Sequence, residues 1–301
     1  MTLRSISLFF ILTGTLLHGQ ALLILPGAED PDALHFNERF IARNKVASVT
    51  GERMIKRDGQ PMRTEPTRYL YRFDAEGRMA YANNSLGNPG TGRDTTSTTY
   101  NYDAQGHAVR RLRNDFTGHF AYDTEYDSTG RAKRETYARI ENLGTDRYNL
   151  TPGATTQISD ERFKYITIND TCWRKTYYNY LDLPYREETF TRNALGYLLL
   201  IEDRYLISER RSRIRFTYDE GGRLASRMEQ RDISKSDEIK HTWSYDVAGN
   251  VISNDLWHGA KQKYHEEYLY EEQSMMLKAR IRKDSDTGII HVIRYHTELR
   301  P

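Results

Sequence analysis

One cysteine and nine histidines are the residues that could supply a nucleophile or ligate a metal. Cys172 lies between Thr171 and Trp173 with no neighbouring feature that would favour a thiolate, so we expect an inert, buried thiol. The histidines form no His-Glu-x-x-His or His-x-His motif, and His291 and His296 fall on opposite faces of a strand. The sequence therefore predicts neither a catalytic cysteine nor a metal site.

Paired carboxylates are the residue type used for glycoside hydrolysis, and they occur at Glu187-Glu188, Glu266-Glu267 and Glu271-Glu272. Adjacent strand residues point to opposite faces, so we expect these to be solvated strand positions. The glycine-rich stretch from Gly87 to Gly92 lacks the Gly-Lys-Ser/Thr ending of a phosphate loop, and Gly-x-Ser-x-Gly does not occur. These observations predict a protein that is not an enzyme and needs no cofactor.

Tyrosine is the most informative residue type, because the chain contains 22 of them and many fall in a repeated phrase. The phrase is an aromatic residue, any residue, usually Tyr, then Asp-x-x-Gly, and it recurs about every 26 residues where copies adjoin. The Asp or Asn and the Gly of the copies are Asp74 and Gly77, Asp103 and Gly106, Asp127 and Gly130, Asn193 and Gly196, Asp219 and Gly222, and Asp246 and Gly249.

Each copy of the phrase predicts one β-hairpin. Aromatic residues at alternate positions, such as Phe216 and Tyr218, lie on one face of an extended strand. The Asp can accept hydrogen bonds from turn amides, and the Gly can take a left-handed conformation, so both are structural turn residues. We therefore expect an all-β protein, an antiparallel meander of about sixteen to eighteen strands. Long loops are expected at Asn83 to Asp94 and at Asn142 to Asp160.

The predicted sheet has one solvated face and one dry face, because Leu224 and Met228 alternate with polar neighbours in the strand after Gly222. An aromatic underside of this size must be covered. A repeat-built sheet of hairpins should therefore twist and curl upon itself. We expect a long, open half-shell.

The N-terminus predicts export. Met1 and Arg4 precede an apolar run from Ile6 to Leu17, which is typical of a signal peptide spanning residues 1–21 and leaves a single domain at 22–301. The run is too short to span a bilayer comfortably, so we expect a periplasmic, outer-surface or extracellular protein without a transmembrane segment. A net charge of +2 gives no reason to expect a nucleic-acid partner.

The segments Phe216 to Leu224 and Trp243 to Val251 closely resemble the YD repeats of the RHS and teneurin families. The resemblance implies a spiralling β-sheet shell and similarity to short exported bacterial proteins, often from the Bacteroidetes. The self-cleavage segment and toxin of full RHS proteins are not visible in the sequence, so the resemblance does not imply toxin encapsulation. It implies carbohydrate binding as a property associated with such repeats.

We expect a non-enzymatic scaffold for binding or adhesion at the cell surface or in the periplasm. Its partner would be a protein or a glycan, and unprotected edge strands would permit association. The alternative is a carbohydrate-binding module of the same fold, and a glycan-active enzyme is the third hypothesis. The repeat aromatics are expected to be core, so Trp173 and Trp257 are the predicted binding residues.

Overall fold

The chain forms a closed antiparallel β-barrel of 18 strands. The structure is a computed structural model, and it describes residues 21–25, 31, 33–86 and 94–301. A two-stranded sheet of β1 (Leu23–Ile24) and β2 (His35–Phe36) and a short helix, α1 (Glu38–Arg43), precede the barrel. Within the described ranges, no helix has the length and apolar character that crossing a bilayer requires.

The barrel strands follow one another around the wall in chain order. The first nine are β3 (Val46–Lys56), β4 (Arg63–Phe73), β5 (Met79–Leu86), β6 (Asp94–Tyr102), β7 (Ala108–Asp115), β8 (Gly118–Tyr126), β9 (Ala132–Asn142), β10 (Pro152–Asn169) and β11 (Cys172–Tyr178). The second nine are β12 (Pro184–Arg192), β13 (Leu198–Tyr205), β14 (Arg211–Tyr218), β15 (Leu224–Gln230), β16 (Glu238–Tyr245), β17 (Val251–His258), β18 (Lys261–Tyr270), β19 (Leu277–Asp284) and β20 (Ile290–Leu299).

Pairing of β20 with β3 closes the barrel, so the predicted open half-shell is wrong. The two strands are antiparallel from the Ile290–Lys56 pair to the Leu299–Val46 pair. Closure satisfies the backbone groups of both edges, which an open sheet would leave unpaired. The described barrel consequently has no free edge strand through which the predicted association could occur. The all-β class and the antiparallel meander agree with the structure.

Parts of both predicted long loops are strand. β10 begins at Pro152 and pairs with β9, so only residues 143–151 connect them. β-Branched Thr155, Thr156 and Ile158 favour this extension. β5 continues to Leu86, while the glycine-rich stretch at 87–92 lies outside the described residues. The predicted signal peptide also lies outside them, apart from Ala21.

The repeated Asp-x-x-Gly phrases form similar turns at one end of the barrel, which we call the turn end. In the turn between β14 and β15, Asp219 Oδ1 accepts the Arg223 amide at 2.8 Å and Oδ2 accepts Arg223 Nε at 2.7 Å. Gly222 has φ +74°, a conformation that favours glycine. Asn193 replaces Asp in the turn between β12 and β13, and its Oδ1 accepts the Tyr197 amide at 2.9 Å.

In four of the six copies of the phrase, a tyrosine hydroxyl ties one hairpin to the hairpin before it, and two tyrosines outside these copies do the same. Tyr245 donates to the carbonyl of Leu224 at 2.7 Å, and the Arg223 guanidinium lies 4.6 Å from the centre of the Tyr245 ring. The same type of bond joins Tyr102 to Met79, Tyr126 to Ala108, Tyr165 to Ala132, Tyr218 to Leu198, and Tyr270 to Val251. We call these six bonds the tyrosine locks.

Residues 21–25 and 33–45, which we call the N-terminal plug, pack against the barrel at the turn end. Leu22 and Ile41 are fully buried in the main apolar core. The amide of Ala21 donates to Asn250 Oδ1 at 3.0 Å. Phe36 packs on Phe73, with ring centres 5.0 Å apart. The plug therefore contacts strands from both the beginning and the end of the barrel.

Gly77→Ala should destabilise the barrel more than Gly196→Ala. Both glycines have similar left-handed φ values, +85° and +87°, so both substitutions cost about 1 kcal/mol in backbone strain. A Cβ at Gly77 would also overlap the Glu38 carbonyl and lie 2.9 Å from Ala42 N, whereas nothing lies within 4 Å of one at Gly196. We expect an additional loss of about 1–3 kcal/mol for Gly77→Ala in urea unfolding. Equal losses would contradict the docking of α1 on this turn.

Tyr245→Phe should lower the free energy of unfolding by about 1 kcal/mol, because it removes one tyrosine lock and keeps the ring. Tyr180→Phe is the matched control, since Tyr180 is 67% exposed in the turn between β11 and β12. Denaturant titrations of both variants and the unsubstituted protein provide the measurement. The assigned role of the lock fails if the two substitutions cost the same.

Candidate functional site

The inner face of the barrel can be traced from one strand to the next, because cross-strand partners share a face of the sheet. Tyr71 contacts the apolar core and therefore marks this face. Successive partners lead from Tyr71 to Ala82, Thr98, Arg113, Phe120 and Arg139. Arginine and aromatic side chains of β7 to β9 therefore share the face that is apolar at β4.

Elsewhere on the inner face, charges are buried in pairs. Glu266 is only 1% exposed, and its Oε2 lies 2.7 Å from Arg282 Nε and 3.4 Å from Arg280 Nε. Tyr268 donates to Glu266 Oε1 at 2.8 Å. The expectation that Glu266 is a solvated strand position is wrong. Residues of β18 alternate between the two faces of the sheet, and Glu266 lies on the face inside the closed barrel. Burial raises the pKa of Tyr71, which lies near Arg280, to about 12, so its hydroxyl stays neutral.

The inner face of β7, β8 and β9 carries three stacked rings and three arginines, which we call the arginine–aromatic wall. It consists of Arg111, Arg113, Phe120, Tyr122, Tyr137 and Arg139. Tyr122 and Tyr137 stack with centres 4.4 Å apart and planes 15° apart. The guanidiniums of Arg111 and Arg113 lie 4.9 Å from the Tyr122 ring centre and 5.0 Å from that of Phe120.

Two arginines of this wall are exposed and have no ion-pair partner among the described residues. They are Arg111 and Arg139. Arg139 Nη2 donates to the Thr117 carbonyl at 3.2 Å, and Arg111 contacts the Tyr122 ring. A guanidinium has five N–H donors, so most donors of both side chains remain available. The arginines in this region of the inner face thus have free donors, whereas the charges around Glu266 are paired with one another.

A cleft of about 710 Å³ lies where the arginine–aromatic wall reaches the rim, at the end opposite the turn end. It is formed by the turn between β7 and β8 and by the loop at 143–151, and we call it the rim cleft. Arg139 lines it together with Arg147, His119 and Phe116. Phe116 is 70% exposed, and the Arg147 guanidinium lies 5.2 Å from its ring centre. The cleft therefore offers cationic and aromatic groups to solvent.

The acidic groups of the rim cleft are occupied by internal hydrogen bonds. Asp115 Oδ1 accepts the Thr117 amide at 2.8 Å, and Oδ2 lies 3.1 Å from Arg113 Nε. Burial opposes ionisation of Asp115, but the Thr117 hydrogen bonds and the Arg113 charge lower its pKa overall. Glu141 Oε2 accepts the Ala154 amide at 3.2 Å. Asp115 is therefore paired with Arg113, which leaves Arg139, Arg147 and Glu141 as the charged lining residues without an ion pair in the described structure.

Side chains of β7 and β8 hold the 143–151 loop over the cleft. The Arg147 carbonyl accepts from His119 Nε2 at 2.9 Å and from Asn114 Nδ2 at 3.1 Å. Asn142 Oδ1 accepts the amides of Gly144 and Thr151 at 3.1 and 2.8 Å. Because His119 is 7% exposed, its bond to the loop is shielded from water.

The predicted binding residues are not brought together. Trp173 on β11 stacks on Phe190 with centres 4.9 Å apart, and the Arg192 guanidinium lies 4.4 Å from its ring centre. Trp257 lies on β17, on a distant part of the wall. Cys172 is half-buried at the start of β11. Within the described ranges, no three His, Cys, Asp or Glu residues are placed to hold a metal.

The arginine–aromatic wall was not predicted from the sequence, although one local signal was present. Arg111 and Arg113 alternate around Leu112, which places both arginines on one face of a strand. The sequence does not show that this face is the inner one. That assignment needs the cross-strand pairing to Tyr122 and Phe120.

No protein-family model and no curated protein matches the chain. It is similar to a porin-like protein from Bacteroides uniformis (12% identity, 84% of this chain, 98% of that chain, TM-score 0.41) and to one from Bacteroides vulgatus (11%, 85%, 98%, 0.33). It is also similar to the TcdB2-TccC3-TEV structure (12%, 81% of this chain, 22% of that chain, 0.21). At these TM-scores the similarities carry no functional argument.

The predicted membership of the YD and RHS repeat family is wrong. No family model for it matches, and the 18 strands close into a barrel, whereas the resemblance implied a spiralling shell. The repeated phrase encodes hairpin turns and tyrosine locks in a closed barrel instead of an open shell. Short turn chemistry of this kind is a local requirement of a hairpin and does not by itself define a family.

His119→Ala should loosen the 143–151 loop, because it removes one of the two side-chain donors to the Arg147 carbonyl. Loss of about 1 kcal/mol corresponds to roughly fivefold faster amide exchange in the loop. Hydrogen–deuterium exchange of peptides covering 143–151 provides the measurement. His258→Ala is the control, since His258 is exposed at the end of β17. Unchanged exchange in the His119 variant would show that this bond does not hold the loop.

Proposed function

We propose that the chain is an exported, non-enzymatic binding protein whose ligand site is the rim cleft and the adjoining arginine–aromatic wall. The observation that carries this proposal is the exposure of Arg111 and Arg139 without ion-pair partners in the described structure. Inner-face charges near Glu266 are paired and shielded. Available donors on a shaped wall are the polar groups that fix the orientation of a ligand.

The two ends of the barrel support this assignment by their difference. The N-terminal plug packs the turn end with apolar side chains such as Leu22 and Ile41. The opposite rim has a cleft of about 710 Å³, which is within the usual range of small-ligand sites, about 300–1,000 Å³. The dimensions favour a small molecule over an extended protein surface as the ligand.

A non-enzymatic role is supported by the way inner-face carboxylates are engaged. Arg186 binds both Glu188 Oε1 at 2.7 Å and Asp203 Oδ1 at 2.8 Å. Tyr177 donates to Glu188 Oε2 at 2.6 Å. Carboxylates held in this way as hydrogen-bond acceptors are poorly suited to general acid or base work. Export to the periplasm, outer surface or medium is proposed on the apolar N-terminal run from Ile6 to Leu17.

Ala154→Trp should abolish ligand retention, because the exposed Ala154 lines the rim cleft and an indole would fill it. Ala104→Trp, at an exposed position in the turn between β6 and β7, is the matched control at the other end. Each protein is incubated with small molecules extracted from the exported fraction of the cells that produce it, and the mixture is analysed by native mass spectrometry. We expect the same adduct on the unsubstituted protein and on Ala104→Trp. An adduct that persists on Ala154→Trp would refute the assignment of the site.

A further inference from the structure

We propose that the rim cleft and arginine–aromatic wall select a ligand that combines an anionic group with a flat apolar ring system. The inference rests on the proposed binding function and adds the chemical class of the ligand. Arg111 and Arg139 would bind the anionic group, and the rings of the wall would bind the apolar part. Both features occur on one face of three adjacent strands.

The charge of the site favours an anion. Arg139 contributes one hydrogen bond to the Thr117 carbonyl, and Arg147 contributes one to the Asp115 carbonyl at 3.3 Å. Their remaining donors, with those of Arg111, can bind carboxylate, phosphate or sulfonate oxygens in the paired geometry that guanidinium favours. Asp115 forms its ion pair with Arg113, at 3.1 Å, and not with these three arginines.

The rings determine the second part of the ligand. Tyr137 lies between Tyr122 and Phe120, with centres 4.4 and 5.6 Å away, so the three rings form a continuous aromatic strip. At the rim, the exposed ring of Phe116 lines the cleft. A planar ligand can pack against these rings, and nearby guanidiniums polarise the contact. An inorganic anion would use the arginines but leave the aromatic strip unused.

Other ligand classes fit the site less well. A divalent cation would meet the three arginines of the wall and Arg147 of the cleft, while the acids of the cleft, Asp115 and Glu141, already accept internal hydrogen bonds. A neutral aromatic compound would contact the rings but leave the donors of Arg111 and Arg139 to water. A ligand with both an anionic group and a flat apolar ring system would use the arginine donors and the aromatic rings together.

The experiment compares two fluorescent probes with the same rings. 1-Anilinonaphthalene-8-sulfonate carries an anion, and N-phenyl-1-naphthylamine does not. We expect the full-length protein to bind the sulfonate at least about tenfold more tightly, since charge-assisted hydrogen bonds are worth this much or more. Arg111→Gln and Arg139→Gln should each weaken sulfonate binding about tenfold and leave the neutral probe unchanged. Arg215→Gln, on the outer face of β14, should alter neither.

Circular dichroism and thermal unfolding confirm that each variant is folded, and Arg139→Lys tests the charge separately. Because lysine keeps the charge, it should restore part of the sulfonate affinity lost in Arg139→Gln. Equal binding of both probes, insensitive to Arg111→Gln and Arg139→Gln, would overturn the selection of anions. If Ala154→Trp still weakened the binding of both probes, the rim cleft would remain the binding site and only the selection of anions would be wrong. If Ala154→Trp changed the binding of neither probe, the proposed function would be wrong as well.

Discussion

Pairing between β3 and β20 is the constraint on which the rest of the structure depends. It joins the two ends of a chain of hairpins, and so it determines which face of every strand is enclosed. Glu266 can be buried between Arg280 and Arg282 only because their shared face is closed off from bulk water. The same closure turns Arg111, Tyr122 and Tyr137 towards one interior, where they form a wall instead of an exposed surface patch.

The sequence was sufficient to predict the hairpins, because their signals are local. Asp219 and Gly222 supply turn chemistry within four residues, and alternation of Phe216 with Tyr218 indicates a strand with one aromatic face. Closure could not be predicted, since the partners Leu299 and Val46 are far apart in sequence and carry no complementary pattern. The same reason explains the unpredicted arginine–aromatic wall, whose arginines and rings belong to three different strands.

The interior of the barrel is divided between two kinds of packing. Around the N-terminal plug, apolar side chains such as Leu22, Phe40 and Val49 remove one another from water, which stabilises the fold without directional bonds. Around β7 to β9, stacked rings and cations remain partly solvated. The hydrophobic contribution to the free energy of unfolding is concentrated at the turn end. Side chains at the opposite rim therefore contribute less to stability, and their identities can serve binding instead.

The tyrosine locks also stabilise the turn end. Phenylalanine would provide the same apolar ring, but only tyrosine also reaches a carbonyl of the preceding hairpin. Burial is the main cause of the raised pKa values of Tyr218 and Tyr245, so both hydroxyls remain protonated donors well above neutral pH. Their contribution is therefore complete below the pKa of about 10 for unfolded tyrosine and is lost as pH rises through the higher folded values. A hydrogen bond repeated from hairpin to hairpin thus keeps successive strands in register at the turn end.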